Sequence, residues 1–239
     1  MSLQDQRVVV LGGTSGIGLA TAHLAAAQGA TVIVASSNPE SVKRALEALP
    51  GTASGEAVDL TDAAAVRAFF DRLDPFDHLI FTAGEPLTLL EVESMDLARA
   101  RQAFQLRYFG ALGAVSAAAS KIRRGGSVVL TTGAAGDRPS PGWSVAASIC
   151  GAMDSLVRAL AVELAPLRVN AVKPGVVRSP LWSDLSVEDQ QTLYDETARL
   201  LPVGRVGEVI DIAEAYVYLM NQGYATGTIV TVDGGHVLV

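Results

Sequence analysis

The residues best suited to chemistry form a glycine-rich loop from Gly12 to Gly18, directly after the apolar run at 8–11. Gly12 allows a tight turn, Gly16 removes a side chain where the backbone approaches a pyrophosphate, and Gly18 lets the next helix lie close to the strand. The helix N-terminus then offers free N–H groups and a positive dipole end to phosphates. The alternative is a purely structural turn. The predicted dinucleotide contacts are Gly12, Thr14, Ser15, Gly16, Ile17 and Gly18.

The end of the second β-branched run indicates the type of dinucleotide. Folds that prefer the non-phosphorylated cofactor place Asp or Glu there for the ribose hydroxyls. This chain instead has Ser36, Ser37 and Asn38, with Lys43 and Arg44 a turn or two further on. We therefore expect these three polar residues to bind the cofactor and NADP(H) to be preferred, with NAD(H) possible. The other interpretation is that they only cap the following helix.

Strand and helix signals alternate along the chain and position this loop. Strands are predicted near 7–11, 31–35, 77–82, 126–131, 168–172 and 228–232, with a weaker one near 56–59. Helices are predicted over 16–28, 39–48, 62–72, 96–120, 145–164 and 208–220. Such alternation implies a parallel sheet with helices on both faces. We predict an α/β protein with a single domain over residues 1–239.

Composition limits the function classes. Hydrophobic residues make up 49% of the 239 residues and charged residues 18%, which predicts a folded chain. The net charge of −7 and the lack of a basic run argue against nucleic acid and membrane surfaces as partners. The single cysteine, Cys150, excludes an intrachain disulfide and fits a cytoplasmic location. No residue set has metal-ligand spacing, and the N-terminal segment does not resemble a signal peptide.

Two predicted helical stretches are rich in small residues, at 110–120 and 145–164. Helices that are apolar nearly all round are usually buried on more than one side. Burial against the sheet is one explanation. We favour packing against another subunit, because faces this poor in charge seldom contact water, and we expect a homo-oligomer.

Several short motifs occur in one order along the chain and together resemble the classical short-chain dehydrogenase/reductase family. They are the loop at 12–18, Asp59-Leu60, Thr82-Ala83-Gly84, Arg168–Gly175, Ser179-Pro180, Pro202–Val206 and Gly227–Gly235. The resemblance covers almost the whole chain. It implies a doubly wound Rossmann fold with a mostly seven-stranded parallel sheet, and a homo-tetramer or homo-dimer. It further implies cofactor contacts from Asp59, Leu60, Ala83, Gly84, Pro174, Gly175, Val177 and Ser179.

The catalytic positions depart from the family pattern. The family's Asn falls on Arg107, three residues before Gly110, and its Ser falls on Thr132, or on Gly133 if the register slips by one. Its Tyr and Lys fall on Val145 and Ile149. No tyrosine occurs between residues 108 and 194, so no nearby Tyr-x-x-x-Lys replaces the pair.

These substitutions remove the family's proton donor. In the family the tyrosine gives a proton to a carbonyl oxygen, and such general acid catalysis contributes about 10²–10⁴-fold. Val145 and Ile149 have no proton to give. The remaining candidates are Thr132, which can also be a strand-end residue bonded to backbone, and Arg107. The arginine binds either the cofactor or an anionic ligand, or it pairs with a carboxylate such as Glu91 or Asp137.

The segment 180–201 interrupts the strand–helix rhythm and is predicted to be a lid over a ligand site. Trp143, Trp182, Leu185 and Tyr194 offer a small apolar ligand an aromatic pocket, or they only pack the lid onto the body. Three functions remain open. The first is an oxidoreductase that binds NADP(H) and works by a non-standard route. The second is a non-catalytic NADP(H)-binding sensor, scaffold or inactive partner subunit. The third is a binding protein for an apolar ligand.

Overall fold

A computed structural model describes residues 2–87 and 89–239 of the chain. Seven parallel strands form the central sheet in the order β3-β2-β1-β4-β5-β6-β9, and β7 pairs with β8 beside it. The strands are β1 (Arg7–Leu11), β2 (Thr31–Ser36), β3 (Ser54–Ala57), β4 (Phe76–Phe81), β5 (Ile122–Thr131), β6 (Arg168–Pro174), β7 (Val177–Arg178), β8 (Gly207–Glu208) and β9 (Ile229–Val232). The predicted seven-stranded Rossmann fold is confirmed. The strand order reverses between β1 and β4, and in such sheets ligands bind at that point beyond the carboxyl ends of the strands.

The helices connect the strands and cover both faces of the sheet. They are α1 (Gly16–Ala27), α2 (Pro39–Ala48), α3 (Ala63–Arg72), α4 (Leu97–Phe104), α5 (Ala111–Ala118), α6 (Ser144–Glu163), α7 (Val187–Leu200) and α8 (Val209–Asn221). The predicted continuous helix over 96–120 is wrong in one respect, because a π-helical segment, Gln105–Gly110, separates α4 from α5. The helix α7 and the short β7–β8 pair lie in the part of the chain where no regular element was predicted.

The strands form where β-branched residues can be buried on both sides. In β1 the side chains of Val9 and Leu11 belong to one core cluster and those of Val8 and Val10 to the other. The first cluster lies against α3, α5 and α6, and the second against α1, α2 and α8. This alternation is the period-two signature of a strand covered on both faces.

Polar residues begin several of the helices. Asp62 starts α3 by accepting hydrogen bonds from the backbone N–H groups of Ala64 at 2.8 Å and Ala65 at 3.2 Å. Asp96 caps α4 in the same way, at 2.8 Å and 3.2 Å. Such caps satisfy backbone donors that a helix start leaves open.

Helix α6 is long and apolar enough to span a bilayer by length and composition alone. Its inner face nevertheless packs in the core, with Met153, Val157 and Leu160 buried against the sheet. This is the arrangement of a core helix in a globular domain. It also brings the start of α6 to the carboxyl edge of the sheet.

Candidate active site

A cleft of about 1290 Å³ opens at the carboxyl ends of the strands. It runs from the glycine loop, past the ends of β2 and β4, to the start of α6 and to the segment that begins at Pro180. The structure brings all the predicted site residues to this one cleft. They are Gly12, Thr14, Ser15, Gly16, Ile17, Gly18, Ser36, Ser37, Asn38, Asp59, Leu60, Ala83, Gly84, Arg107, Thr132, Pro174, Gly175, Val177 and Ser179.

The glycine loop has the shape of a phosphate cradle. Gly12 has a φ of 83°, and a Cβ atom there would lie 2.5 Å from the backbone nitrogen of Ala83. A Cβ on Gly18 would overlap the carbonyl oxygen of Gly12 and the hydroxyl of Thr82. Helix α1 starts after Ser15 without a side-chain cap, so its first N–H groups face the cleft unpaired by a side chain. A helix start of this kind can bind a phosphate.

We call the part of the cleft from the glycine loop to Asp59 its nucleotide half. At Asp59 this half is polar. Asp59 accepts hydrogen bonds from the hydroxyl of Thr61 at 2.7 Å and from its backbone N–H at 2.9 Å. These two bonds hold the pKa of Asp59 below its ordinary value. The carboxylate therefore stays ionised and fixed at the cleft wall.

The sequence left open whether the residues at the end of β2 bind the cofactor or cap the next helix, and the structure is consistent with both roles. Asn38 does cap α2, since its side-chain oxygen accepts from the N–H groups of Glu40 at 2.9 Å and Ser41 at 3.2 Å. Ser36, Ser37 and Ser41 meanwhile line the cleft. The guanidinium of Arg44 donates to the hydroxyl of Ser41 at 2.9 Å, which brings a positive charge to the same corner.

The turn after β6 forms the wall opposite α6. The N–H of Gly175 donates to the carbonyl of Val232 at 3.0 Å, and a Cβ on Gly175 would lie 2.8 Å from the Cα of Asp233. The close backbone approach fixes Pro174 and Gly175 at the cleft edge. Val177, in β7, and Ser179 continue this wall towards the predicted lid.

The start of α6 presents an apolar face. Val145 and Ile149 line the cleft and pack into the core cluster with Met153. Among the described residues, no tyrosine and no lysine lines the cleft. In the described part of the fold, therefore, no tyrosine or lysine from another element takes the place of the Tyr–Lys pair that the sequence lacks.

A buried ionic network lies directly behind this apolar face. The Lys173 ammonium donates to Asp154 at 2.8 Å and to Asp137 at 2.5 Å. Thr132 donates its hydroxyl towards Asp154 at 2.7 Å and lies 3.0 Å from the carbonyl of Cys150. These contacts favour the interpretation of Thr132 as a satisfied strand-end residue, because its one proton is directed away from the cleft.

Sequence reasoning missed Asp154 and Lys173. The available signal was weak, because Asp154 shares α6 with Arg158 and Glu163, and Lys173 shares β6 with Arg168. Burial by itself lowers the pKa of Lys173, but the hydrogen bonds and charges of Asp137 and Asp154 outweigh it and raise that pKa. The lysine therefore remains a cation in the layer behind the cleft wall.

Arg107 enters the cleft from the π-helical segment. Its guanidinium donates to the carbonyl of Glu85 and lies over Gly84, where a Cβ would come within 2.7 Å of Nη1. The predicted ion pairs with Glu91 and Asp137 are wrong. Asp137 pairs with Lys173, and a Cβ on Gly142 would lie 2.9 Å from the Glu91 carboxylate.

Arg107 is buried near the charge of Glu85 but is not ion-paired with it. Burial is the largest influence on its pKa and lowers it, while the nearby charges of Glu85 and Cys150 act in the opposite direction. Burial also raises the pKa of the Cys150 thiol, so the thiol is protonated. Arg107 makes no salt bridge with any carboxylate of the described residues.

The segment 180–201 borders the cleft on its open side. Trp182 and Leu181 line the cleft, and the indole N–H of Trp182 donates to the carbonyl of Val177 at 3.0 Å. Trp143 lines it from the other side. Tyr194 instead packs beneath the segment with Trp182, and Leu185 lies on the surface. The aromatic residues thus divide between the cleft wall and the packing of the segment.

Comparisons with known proteins give the same family as this site. A family model described as "Enoyl-(Acyl carrier protein) reductase" matches residues 12–236. The chain belongs to the classical short-chain dehydrogenase/reductase family, and it is an oxidoreductase of that family with a site for a nicotinamide dinucleotide.

Individual relatives resemble the chain over its whole length. The short-chain dehydrogenase/reductase ATR9 of Stachybotrys chlorohalonatus is 34% identical, with 98% of both chains covered. A crystal structure of a small-chain dehydrogenase in complex with NADPH is 34% identical, covers 99% of this chain and 100% of its own, and superposes with a TM-score of 0.87. The structure of MalC Reductase/Diels-Alderase from Malbranchea aurantiaca is 30% identical, with coverages of 99% and 98% and a TM-score of 0.91.

Proposed function

We propose that this chain is an NADP(H)-dependent oxidoreductase that reduces or oxidises a small, largely apolar substrate without the Tyr–Lys acid of its family. The observation that carries the proposal is the continuity of one cleft. It joins the open N-terminus of α1 to the apolar face of Val145 and Ile149. A cofactor bound at the glycine loop would therefore share one cleft with a substrate space at α6.

The chain offers groups that can hold the cofactor and a group that can polarise a substrate oxygen. A bound nicotinamide supplies or accepts a hydride. The glycine loop and α1 would hold its phosphates, while Pro174 and Gly175 form the wall opposite α6. Arg107 is the better polarising group, because the Thr132 hydroxyl already donates within the buried network. A guanidinium N–H can stabilise negative charge on a substrate oxygen in a partly dry site.

The preference for NADP(H) is supported by the corner after β2. Ser36, Ser37 and Ser41 line it, no carboxylate from that strand end does, and Arg44 is held there by Ser41. These groups suit a 2′-phosphate better than free ribose hydroxyls. The similar small-chain dehydrogenase in complex with NADPH supports the same preference.

One observation favours a second function, a non-catalytic NADP(H)-binding sensor, scaffold or partner subunit. The two positions that replace Tyr and Lys are apolar and packed into the core. Such a face can hold a ligand without providing a proton. This function retains the nucleotide half of the cleft and gives up turnover.

The test combines cofactor binding with turnover on the natural chain. Titration with NADPH and with NADH, followed by the fluorescence of the bound dinucleotide, is expected to give tighter binding of NADPH. Oxidation of NADPH is then followed with activated carbonyl probes such as isatin and phenanthrenequinone. Turnover supports the enzyme, binding without turnover supports the second function, and failure to bind either dinucleotide overturns both.

We also propose that segment 180–201 acts as a lid and that the chain forms a homo-dimer or homo-tetramer. The lid role is supported by Leu181 and Trp182, which line the open side of the cleft. The oligomer is supported by Leu97, Phe109 and Val162, which are exposed apolar residues on or next to the helices α4 to α6. Sedimentation showing a stable monomer at micromolar concentration would contradict the oligomer.

A further inference from the structure

Arg107 forms no salt bridge with a carboxylate of the described residues, and the charge of Glu85 acts on it only from a longer distance. Among residues 2–87 and 89–239, its one hydrogen bond goes to the carbonyl of Glu85, which is a neutral acceptor. No buried side-chain nitrogen or oxygen of the described residues lacks a partner, so the remaining N–H groups of this half-buried guanidinium are open to the cleft. A half-buried cation with free donors is costly unless an anion meets it.

The position of the guanidinium is fixed by the backbone around it. The π-helical segment Gln105–Gly110 carries Arg107, and π turns are rare and often occur at functional sites. Gly84 leaves room for the flat face of the guanidinium, and Glu85 anchors one nitrogen. The arginine is therefore held as a fork with one side bound and the other side directed to a ligand.

The space in front of this fork has apolar walls on two sides. Val145, Ile149 and Trp143 line the cleft on the α6 side, and Leu181 and Trp182 line it on the side of segment 180–201. Asp137 and Asp154 hold Lys173 behind the wall, while Glu85 lines the cleft and acts on Arg107 through its charge without forming a salt bridge. A ligand that fits both features has an apolar body and one anionic group.

We propose that Arg107 binds the carboxylate of an apolar 2-oxo acid or of the corresponding 2-hydroxy acid. The proposal rests on the oxidoreductase function above and names its substrate class. In a 2-oxo acid the carboxylate and the neighbouring carbonyl oxygen lie side by side, so the open side of the guanidinium can contact both. The apolar chain then lies against Val145, Ile149 and the tryptophans.

The experiment measures binding, not turnover. Phenylpyruvate and, as its uncharged counterpart, methyl phenylpyruvate are titrated by calorimetry into the protein, alone and saturated with NADP⁺. The variants are Arg107→Met, which removes the charge, and Arg107→Lys, which keeps it. The matched control is Arg67→Met, because Arg67 is an exposed arginine on α3 outside the cleft. Melting curves establish that each variant is folded.

The expected result is that the natural chain and the Arg67→Met variant bind phenylpyruvate more tightly than the ester. Arg107→Met is expected to lose about tenfold or more in affinity for phenylpyruvate, the size of a charge-assisted hydrogen bond. The ester should be nearly unaffected, and Arg107→Lys should retain part of the affinity.

Two results would overturn the proposal. One is equal affinity for acid and ester, or no binding of either, in the natural chain. The other is a loss of NADP⁺ affinity in Arg107→Met with phenylpyruvate affinity unchanged, which would make Arg107 a cofactor contact. Failure of the natural chain to bind NADP⁺ contradicts the oxidoreductase function separately, and the titration without NADP⁺ still decides the carboxylate site.

Discussion

The two halves of the cleft are built from different parts of the polypeptide. The nucleotide half is made largely of backbone: the glycine loop, the free N–H groups of α1 and the close approach of Gly18 to Gly12. The α6 half is made of side chains, with Val145, Ile149 and Arg107 lining it; the sequence predicts that these stand at the positions of the family's catalytic residues. A backbone site persists as long as the strand–turn–helix geometry persists, whereas a side-chain site can be rewritten one residue at a time.

A network of hydrogen bonds and ion pairs supports the apolar face of the α6 half from behind. Behind the apolar face, Lys173 is held between Asp154 and Asp137, and Thr132 donates to Asp154. The polar groups there are satisfied by one another and do not face a ligand. The α6 half thus has an apolar surface and a polar layer beneath it.

The largest effect is expected from restoring the α6 half to the family pattern. The triple variant Arg107→Asn/Val145→Tyr/Ile149→Lys should raise NADPH-dependent reduction of isatin by about 10²–10⁴-fold over the natural chain, the usual contribution of a general acid. The double variant Val145→Tyr/Ile149→Lys, which keeps Arg107, should gain less. Its new lysine would stand next to Cys150 and therefore close to the positive charge of Arg107.

Val145→Phe/Ile149→Met is the control for the added volume, and it should show no gain. Initial rates of NADPH oxidation provide the measurement. A triple variant that binds NADPH but does not oxidise it would mean that restoring these three side chains is not enough for catalysis.

The next largest effect concerns the buried network. Lys173→Met leaves the Asp154 and Asp137 carboxylates without their cation and is expected to lower the free energy of unfolding by about 3–5 kcal/mol. Most of this loss should come from Asp154, because half of the Asp137 side chain is exposed. Urea unfolding at neutral pH measures it.

Lys173→Met/Asp154→Leu should recover much of the stability, because an apolar pair replaces an ion pair at little cost. Lys43→Met, at an exposed position of α2, should change the free energy of unfolding by less than about 0.5 kcal/mol. Equal losses in the Lys173 and Lys43 variants would show that the network does not stabilise the α6 half.

The backbone half should respond to a single added side chain. Gly18→Val places a Cβ where it overlaps the Gly12 carbonyl, so the loop must shift. We expect NADPH affinity to fall by about 10–100-fold, corresponding to roughly 1–3 kcal/mol of overpacking. Fluorescence titration measures it against Gly113→Ala, since a Cβ on Gly113 in α5 meets nothing within 4 Å. Unchanged affinity in Gly18→Val would mean that the loop does not hold the cofactor.

The smallest effect is expected at the corner after β2. Arg44→Ala removes the charge that Ser41 positions there, and it should weaken NADPH binding about fivefold while NADH binding stays the same, as for one partly exposed charged contact. Arg67→Ala is the control for net charge. Equal weakening of both dinucleotides would point to a loss of α2 structure instead of a lost phosphate contact.

The fold and the nucleotide half were predictable from sequence because their signals are local. Short β-branched runs, alternating helices and the Gly12–Gly18 spacing each fall within a few neighbouring residues, and the sheet and cleft match them. The features that could not be predicted from sequence are contacts between residues that are far apart in the chain. The partners of Arg107 depend on the π-helical segment, which no periodicity announced, and the pairing of Lys173 with Asp154 and Asp137 joins residues from separate elements.

The π-helical segment between α4 and α5 has a consequence for how this site can change over generations. Each residue of an α-helix turns the chain by about 100°. A π turn contains one residue more than the α-helical turn that it replaces. Deleting one residue within Gln105–Gly110 would therefore bring a different side chain to the place of Arg107 and leave the packing of α5 intact. Single-residue deletions here offer a lineage a way to exchange the side chain at the place of Arg107 without remaking the core around it.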